Sequence, residues 1–191
     1  VLYRLLNNLS FSLSTDGSIN TMNANMADFA HPTRYSWLTA IAGKYVNEWF
    51  TLSASALATV INEQADKGGS AGNHRKLTPY VSATFKPFRN EEFRVRFFYK
   101  DIFRLPSFND LYYQEVGNSK LKPENARQYN IGLTYSRNVC TFLPYLSATV
   151  DAYYNKVTDK IIAYPTKNLA VWSMRNLGSV EIKGDRKSTR L

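Results

Sequence analysis

The sequence has few of the residues that thiol and metal chemistry require. It contains one cysteine, Cys140, and two histidines, His31 and His74, which are far apart in the chain. A disulfide within the chain needs two cysteines, and a metal site needs several ligands at suitable spacing. A nucleophile, a base and an orienting group are likewise not grouped in any motif. The sequence therefore predicts no metal, no cofactor and no enzyme activity.

Long apolar segments are also missing. Hydrophobic residues make up 44% of the chain and the mean hydropathy is −0.36. No segment approaches the roughly 20 apolar residues that a membrane-spanning helix needs. The first ten residues include Arg4, Asn7 and Asn8, which a signal peptide would not place in its apolar region. We therefore expect a mature form or an internal piece, and no helical membrane protein.

The net charge is +9, but it is not concentrated as in a nucleic-acid-binding surface. Residues 185–191 (DRKSTRL) supply +2 of it, and the other basic residues are scattered. Nucleic-acid binding is therefore not predicted. Residues 185–191 also interrupt the pattern that precedes them and resemble a translated sequencing adapter. We expect them to be a non-native tail.

Alternation of apolar and polar residues is the main pattern that is present, and it predicts β-strands. We predict eight, with uncertain ends, at about 2–14, 33–46, 49–61, 77–87, 92–104, 124–137, 142–157 and 171–184. Most are longer than the strands of soluble sheets, which average about 5–6 residues, and they suit a tilted membrane strand of about 9–11 residues.

Connections between these strands alternate in length. The long ones are Thr15 to Pro32, Asn62 to Lys76, Ile102 to Pro123 and Thr158 to Ala170. The short ones are Asn47-Glu48, Phe88 to Glu91 and Asn138 to Thr141. Outer-membrane barrels have long external loops and short periplasmic turns. The sequence thus predicts an all-β, antiparallel transmembrane β-barrel with its long loops outside the cell.

The connection between the fifth and sixth predicted strands carries a motif. It reads FRLPSFNDLYY at 103–113, GN at 117–118, LKPE at 121–124 and YNIG at 129–132. This closely resembles the signature of TonB-dependent receptors, and the chain resembles a Bacteroidetes-like C-terminal barrel fragment of that family. The residues that carry the resemblance are Phe103, Arg104, Pro106, Phe108, Asp110, Leu111, Tyr112, Gly117, Asn118, Leu121, Pro123, Glu124, Tyr129 and Gly132.

The motif also has a physical interpretation as a compact loop. Pro106 lacks a backbone donor and ends strand pairing, and Ser107 can cap a short helix over 108–112. Asp110 suits the positive end of that helix, and Gly117 with Asn118 indicates a turn. We expect these residues to shape the loop, with direct ligand contact as the alternative.

The resemblance implies an outer-membrane receptor of a Gram-negative bacterium. Such receptors bind a scarce nutrient, such as a siderophore, haem, cobalamin or a glycan, and import it with energy from TonB. They have an N-terminal plug, absent from this chain, inside a barrel of about 22 strands. Residues 1–184 are then expected to be part of that barrel, an open sheet of about eight strands. The implied partners are outer-membrane lipid, the nutrient, and TonB through the plug.

Within such a barrel the polar faces of the strands line the lumen. Candidates for that position are Arg94, Arg96, Lys100 and Asp151. Two alternatives remain at this point. A passive porin or small structural barrel would share the strand pattern but does not call for the motif, and a soluble β-rich binding module would not need detergent.

Overall fold

The computed structural model describes residues 2–67, 69–88, 92–114, 116–137, 146–166 and 171–190. Within these ranges no helix is long and apolar enough to cross a membrane. The assigned elements are β1 (Leu2–Leu6), β2 (Leu9–Thr21), β3 (Thr33–Val46), β4 (Phe50–Gln64), β5 (His74–Phe85), β6 (Phe93–Arg104), α1 (Phe108–Tyr112), β7 (Glu124–Arg137), β8 (Leu146–Pro165) and β9 (Trp172–Arg190).

The strands form a single antiparallel sheet in which each strand pairs with the next in the chain. The order runs from β1 to β9, and among the described strands these two are the edges. An eight-stranded closed barrel would have paired the first predicted strand with the last. The prediction of an open antiparallel sheet is therefore confirmed.

Three predicted strand boundaries were wrong. The last strand, predicted at 171–184, continues through Arg190 because residues 185–190 stay paired with β8. The strand at 2–14 is a hairpin, in which Leu2 pairs with Ser12, and β2 then extends through Thr21. Asn7 and Asn8 form its turn, as asparagine favours. The predicted loop from Thr158 to Ala170 begins only after Pro165, because β8 stays paired with β9 up to that residue. The count is consequently nine rather than about eight.

The predicted turns have different outcomes. The turn at Asn47-Glu48 is confirmed, since the Asn47 amide donates to the Phe50 carbonyl at 2.8 Å. Most of the Phe88 to Glu91 turn lies outside the described residues. The turn from Asn138 to Thr141, with Cys140 and the start of the predicted strand at 142, lies outside them as well.

The sheet has one apolar face. Register places Val95, Leu133 and Val150 side by side on it, and Leu133 and Val150 remain 42% and 44% exposed. The apolar face continues across the sheet with Trp37, Ile41, Leu77, Phe97 and Ile131, all exposed. Exposed apolar area of this extent marks a surface that contacts lipid or protein.

The opposite face is concave and carries both polar and apolar side chains. Residues from β2 to β6 line one groove of about 770 Å³ on this concave face. Its polar lining includes Ser36, Ser55, Thr78 and Lys100. Apolar outside and polar inside is the arrangement of an outer-membrane barrel wall, in which the concave face lines the lumen.

The last part of β9 departs from this division. Residues 185–190 remain paired with β8, and the register sets Asp185 beside Ala152 and Lys187 beside Val150. Both charged residues therefore lie on the apolar face. That placement follows from strand alternation and from the pairing, not from any favourable contact with their apolar neighbours.

Candidate functional site

The connection between β6 and β7, residues 105–123, carries most of the motif, and we call it the motif loop; its described residues pack well. Its residues Leu111, Tyr112 and Leu121 are buried together with Phe29 and Ile161. Phe29 belongs to the β2–β3 connection, and Ile161 to β8. We call this group the loop-end cluster, and the edge of the sheet where it lies the loop end. The cluster ties separate connections into one unit over the concave face.

Local capping explains how α1 forms there. The Ser107 hydroxyl accepts from the Asp110 amide at 3.2 Å, and the Asp110 carboxylate accepts from the Ser107 amide at 2.9 Å. This reciprocal capping box satisfies two amides at the start of the helix. Pro106, directly before it, is fully buried. The predicted cap is confirmed.

A buried ion pair anchors α1 to the sheet. The Arg34 Nε lies 2.6 Å from Glu63 Oε2, and the Glu63 side chain is only 1% exposed. Tyr112 donates its hydroxyl hydrogen to the other Glu63 oxygen, Oε1. We call Arg34, Glu63 and Tyr112 the Glu63 node. It joins the ends of β3 and β4 to the last residue of α1.

Further contacts hold the same groups. Arg34 Nη2 donates to the Pro106 carbonyl at 2.9 Å, and its guanidinium carbon lies 4.7 Å from the centre of the Phe108 ring. The Ala71 amide donates to the Tyr112 hydroxyl at 3.2 Å. Buried charges are tolerated when they are paired and hydrogen-bonded in this way. The Glu63 node is therefore a structural anchor for the motif loop.

The protonation of Tyr112 fits its role as a donor. Burial raises the pKa of its phenol far above the ordinary value, and the hydrogen bond to the Glu63 carboxylate raises it further. Both effects disfavour the negatively charged phenolate. The hydroxyl therefore keeps its hydrogen, which Glu63 accepts, at any physiological pH.

A second carboxylate, Glu124, joins three strands. Its Oε2 atom accepts from the Ile161 amide at 3.2 Å and lies 3.4 Å from Arg104 Nη1. Its Oε1 atom lies 3.7 Å from Lys160 Nζ. Arg104 Nη2 is also 3.9 Å from the Asp110 carboxylate. Two motif residues from opposite ends of the loop, Arg104 and Glu124, are thus adjacent in space.

Gly117 and Asn118 close the loop. A side-chain carbon at Gly117 would lie 2.7 Å from the backbone nitrogen and oxygen of Tyr113, so this close approach requires glycine. The Asn118 amide group donates to the Met174 carbonyl at 3.0 Å, while the Met174 amide donates to the Val116 carbonyl at 2.9 Å. These two hydrogen bonds hold the predicted turn against β9.

The lumen candidates divide into separate positions. Arg96 and Asp151 form an ion pair at 3.0 Å on the concave face. A side-chain carbon at the motif residue Gly132 would collide with the Asp151 carboxylate, so glycine makes room for this pair. Lys100 lines the groove farther along β6, and Arg94 lies two residues from Arg96 with the same facing.

The remaining motif residues lie outside the loop-end cluster. Phe103 packs edge-on against His74, with ring centres 6.4 Å apart. Tyr129 lies on the apolar face between Tyr99 and Tyr154. Pro123 accepts a hydrogen bond through its carbonyl from the Asn125 side chain. The motif is therefore spread over the loop and both faces of the sheet.

Arg34 and Glu63 were not predicted from the sequence. Neither lies in the motif, and they are separated from each other by 29 residues and from Tyr112 by more. A charged residue near the end of a strand is ordinary, so the sequence holds no signal that singles them out. Within the described ranges no three histidine, cysteine or acidic residues are grouped to hold a metal. The arrangement is suited to fixing a loop over the concave face.

Comparison with known proteins identifies the architecture. The sequence model described as "TonB dependent receptor-like, beta-barrel" matches residues 6–184. The chain belongs to this family. Family membership places it in the outer membrane of a Gram-negative bacterium, with the apolar face toward lipid.

The curated and solved relatives agree on the fold. The vitamin B12 transporter BtuB of Vibrio vulnificus (strain YJ016) is 27% identical over 90% of this chain and 32% of its own length. The FrpB iron transporter of Neisseria meningitidis has a TM-score of 0.70 and 14% identity over 96% of this chain and 30% of its own. The Serratia marcescens hemophore receptor HasR, in complex with its hemophore HasA and heme, has a TM-score of 0.72 and 13% identity over 98% and 37%.

The chain spans about a third of the length of these relatives. The similar structures are below 25% identity and establish the fold alone. The relatives come from Vibrio, Neisseria and Serratia, so the Bacteroidetes part of the prediction is not supported.

Proposed function

We propose that the chain is part of a TonB-dependent outer-membrane receptor that binds a scarce nutrient and imports it. The nutrient is a siderophore complex, haem, cobalamin or a glycan, and TonB delivers the energy. The receptor is not an enzyme, carries no cofactor of its own and does not bind nucleic acid. Its other partner is the lipid that surrounds the barrel.

The observation that supports this proposal most strongly is the position of the motif loop. Residues 105–123 fold over the concave face and are held there by the Glu63 node and by Glu124. The motif that forms this loop resembles the signature of TonB-dependent receptors, and a passive pore does not call for that signature. The named transport of vitamin B12 and iron by similar proteins points in the same direction.

The complete receptor contains more than these residues. A sheet with unpaired edges leaves backbone donors and acceptors unsatisfied in lipid, so further strands must close the barrel. We propose that the full protein has about 22 strands and an N-terminal plug through which it contacts TonB. The motif residues shape the loop, and Arg94, Arg96, Lys100 and Asp151 line the lumen around the plug.

Uptake by the full-length protein tests this function. Cells that express it are supplied with radiolabelled cobalamin, haem, a ferric siderophore or an oligosaccharide, with and without a functional TonB protein. We expect uptake of one of these nutrients that is lost in the absence of TonB. Uptake that persists equally without TonB would identify a passive pore and refute the proposal.

The orientation makes a separate prediction. We propose that the loop end faces the outside of the cell and that Phe88 lies at the periplasmic end. Ser70 and Phe88 are both exposed, so each accepts a cysteine without disturbing the core. In intact cells, with Cys140 replaced by serine, a membrane-impermeant maleimide is expected to label Ser70→Cys and not Phe88→Cys. The opposite labelling would reverse the topology.

We also propose that residues 185–191 are not native to this receptor. The register that sets Lys187 beside Val150 places a lysine where β7 and β8 carry apolar side chains. A lysine near the bilayer midplane of an outer-membrane barrel costs about 2–4 kcal/mol. Sequencing the genomic locus across the codon for Gly184 is expected to give a different continuation with apolar residues at alternate positions. Recovery of DRKSTRL from genomic DNA would contradict this.

A further inference from the structure

A row of tyrosines crosses the apolar face on three neighbouring strands. Register pairs Tyr99 with Tyr129 and Tyr129 with Tyr154. Their ring centres are 5.0 and 6.0 Å apart, so the three rings are in contact along the row. Tyrosines concentrate where a membrane's apolar core meets its headgroups. The tyrosine row therefore marks the boundary of the lipid on the loop-end side of the barrel.

Three cations adjoin this row at the same boundary. Arg127 and Lys156 occupy the next positions toward the loop end and are directly paired across β7 and β8. Lys183 continues the row itself, with its Nζ 5.3 Å from the centre of the Tyr154 ring. We call Arg127, Lys156 and Lys183 the basic patch. All three side chains are between 44% and 71% exposed.

The neighbouring carboxylates form ion pairs with these cations but balance their charge only in part. Arg127 lies 3.8 Å from Asp101, while Glu181 lies 3.6 Å from Lys156 and 3.8 Å from Lys183. These distances exceed the 2.7–3.2 Å typical of hydrogen bonds. Three positive charges face two negative ones, and the direct pairing of Arg127 with Lys156 sets like charges opposite each other, which is unfavourable. An additional anion between the strands would relieve that repulsion.

We propose that the basic patch binds the phosphate of a phosphorylated lipid headgroup in the outer leaflet. Arginine and lysine are the side chains that phosphate recognition uses, and Arg127 can donate two parallel hydrogen bonds. The patch lies at headgroup level because the tyrosine row lies at the edge of the apolar core. The inference rests on the proposed function in one respect, because the proposed orientation of the loop end decides that the lipid lies in the outer leaflet.

The test uses the full-length receptor in nanodiscs that contain phosphatidylcholine and a small fraction of lipid A, with retained lipid counted by native mass spectrometry. The patch variant carries Arg127→Gln, Lys156→Gln and Lys183→Gln. The matched control carries Lys44→Gln, Lys67→Gln and Lys76→Gln, which remove equal charge away from the basic patch. Parallel samples contain dephosphorylated lipid A or millimolar inorganic phosphate.

We expect the patch variant to retain lipid A at least roughly tenfold more weakly, and the control to retain it normally. Dephosphorylated lipid A should not be retained by either protein. Equal retention by the patch variant, equal loss in the control, or retention of dephosphorylated lipid A would overturn the proposal, whereas competition by inorganic phosphate would support recognition of the phosphate group. Nutrient uptake is scored in the same proteins, so a receptor that retains lipid but lacks TonB-dependent uptake refutes the proposed function alone.

Discussion

Replacement of Glu63 by alanine is expected to destabilise the loop end by about 3–5 kcal/mol, the cost of leaving a buried ion without its partner. Arg34 would keep its charge in a site where its side chain is only 12% exposed. The Tyr112 hydroxyl would lose its acceptor at the same time. Hydrogen exchange of residues 105–123 in the full-length receptor measures the effect, which should reduce protection by roughly two orders of magnitude or more.

A matched exposed ion pair provides the control. Lys67 lies 3.5 Å from Asp28, but these side chains are 56% and 91% exposed. Asp28→Ala should therefore change stability by less than about 1 kcal/mol. Glu63→Gln keeps hydrogen-bonding atoms but not the charge. Its loss of stability should lie between those of Glu63→Ala and Asp28→Ala. Unchanged protection in Glu63→Ala would mean that the Glu63 node does not anchor the motif loop.

An arginine on the apolar face is expected to have a comparable effect on the barrel itself. Leu133 lies between Val95 and Val150 and is 42% exposed on that face. Leu133→Arg should cost about 2–4 kcal/mol if the residue lies near the bilayer midplane, because the charge must enter hydrocarbon. Urea titration of the full-length protein folded into lipid vesicles measures this cost.

Ser147→Arg is the comparison for the other face. The Ser147 hydroxyl lies 3.2 Å from the Ser136 hydroxyl, a polar pair on the concave side of β7 and β8. An arginine there can remain in water, so its cost should be clearly smaller. Equal destabilisation by Leu133→Arg and Ser147→Arg would reverse the assignment of lipid and lumen, or exclude a membrane location for this segment.

The requirement for glycine at position 132 can be explained only from the tertiary structure. In the sequence this glycine is one letter of a family signature. In the structure, the absence of a side chain at Gly132 leaves space for the ion pair between Arg96 and Asp151, which lie on the two neighbouring strands. The motif shows that position 132 is a glycine. The steric reason for that glycine lies in side chains that approach from other strands.

The sequence by itself determined the features that depend on neighbouring residues. Alternation with a period of two assigned the strands and both faces, and Ser107 with Asp110 three residues later assigned the helix cap. The family motif added the architecture. Each of these signals is local or is carried by a contiguous segment, so it can be recognised without knowing how the chain folds.

Only the tertiary structure decided which distant residues meet. Arg34, Glu63 and Tyr112 come from three elements, and Tyr112 lies 49 positions after Glu63 in the chain. No local pattern indicates that they share one buried site. The register of β8 with β9, which sets Lys187 beside Val150, is also a long-range property. Pairing across strands and burial beneath loops depend on the whole sheet, and that is the physical reason why the sequence alone could not supply them.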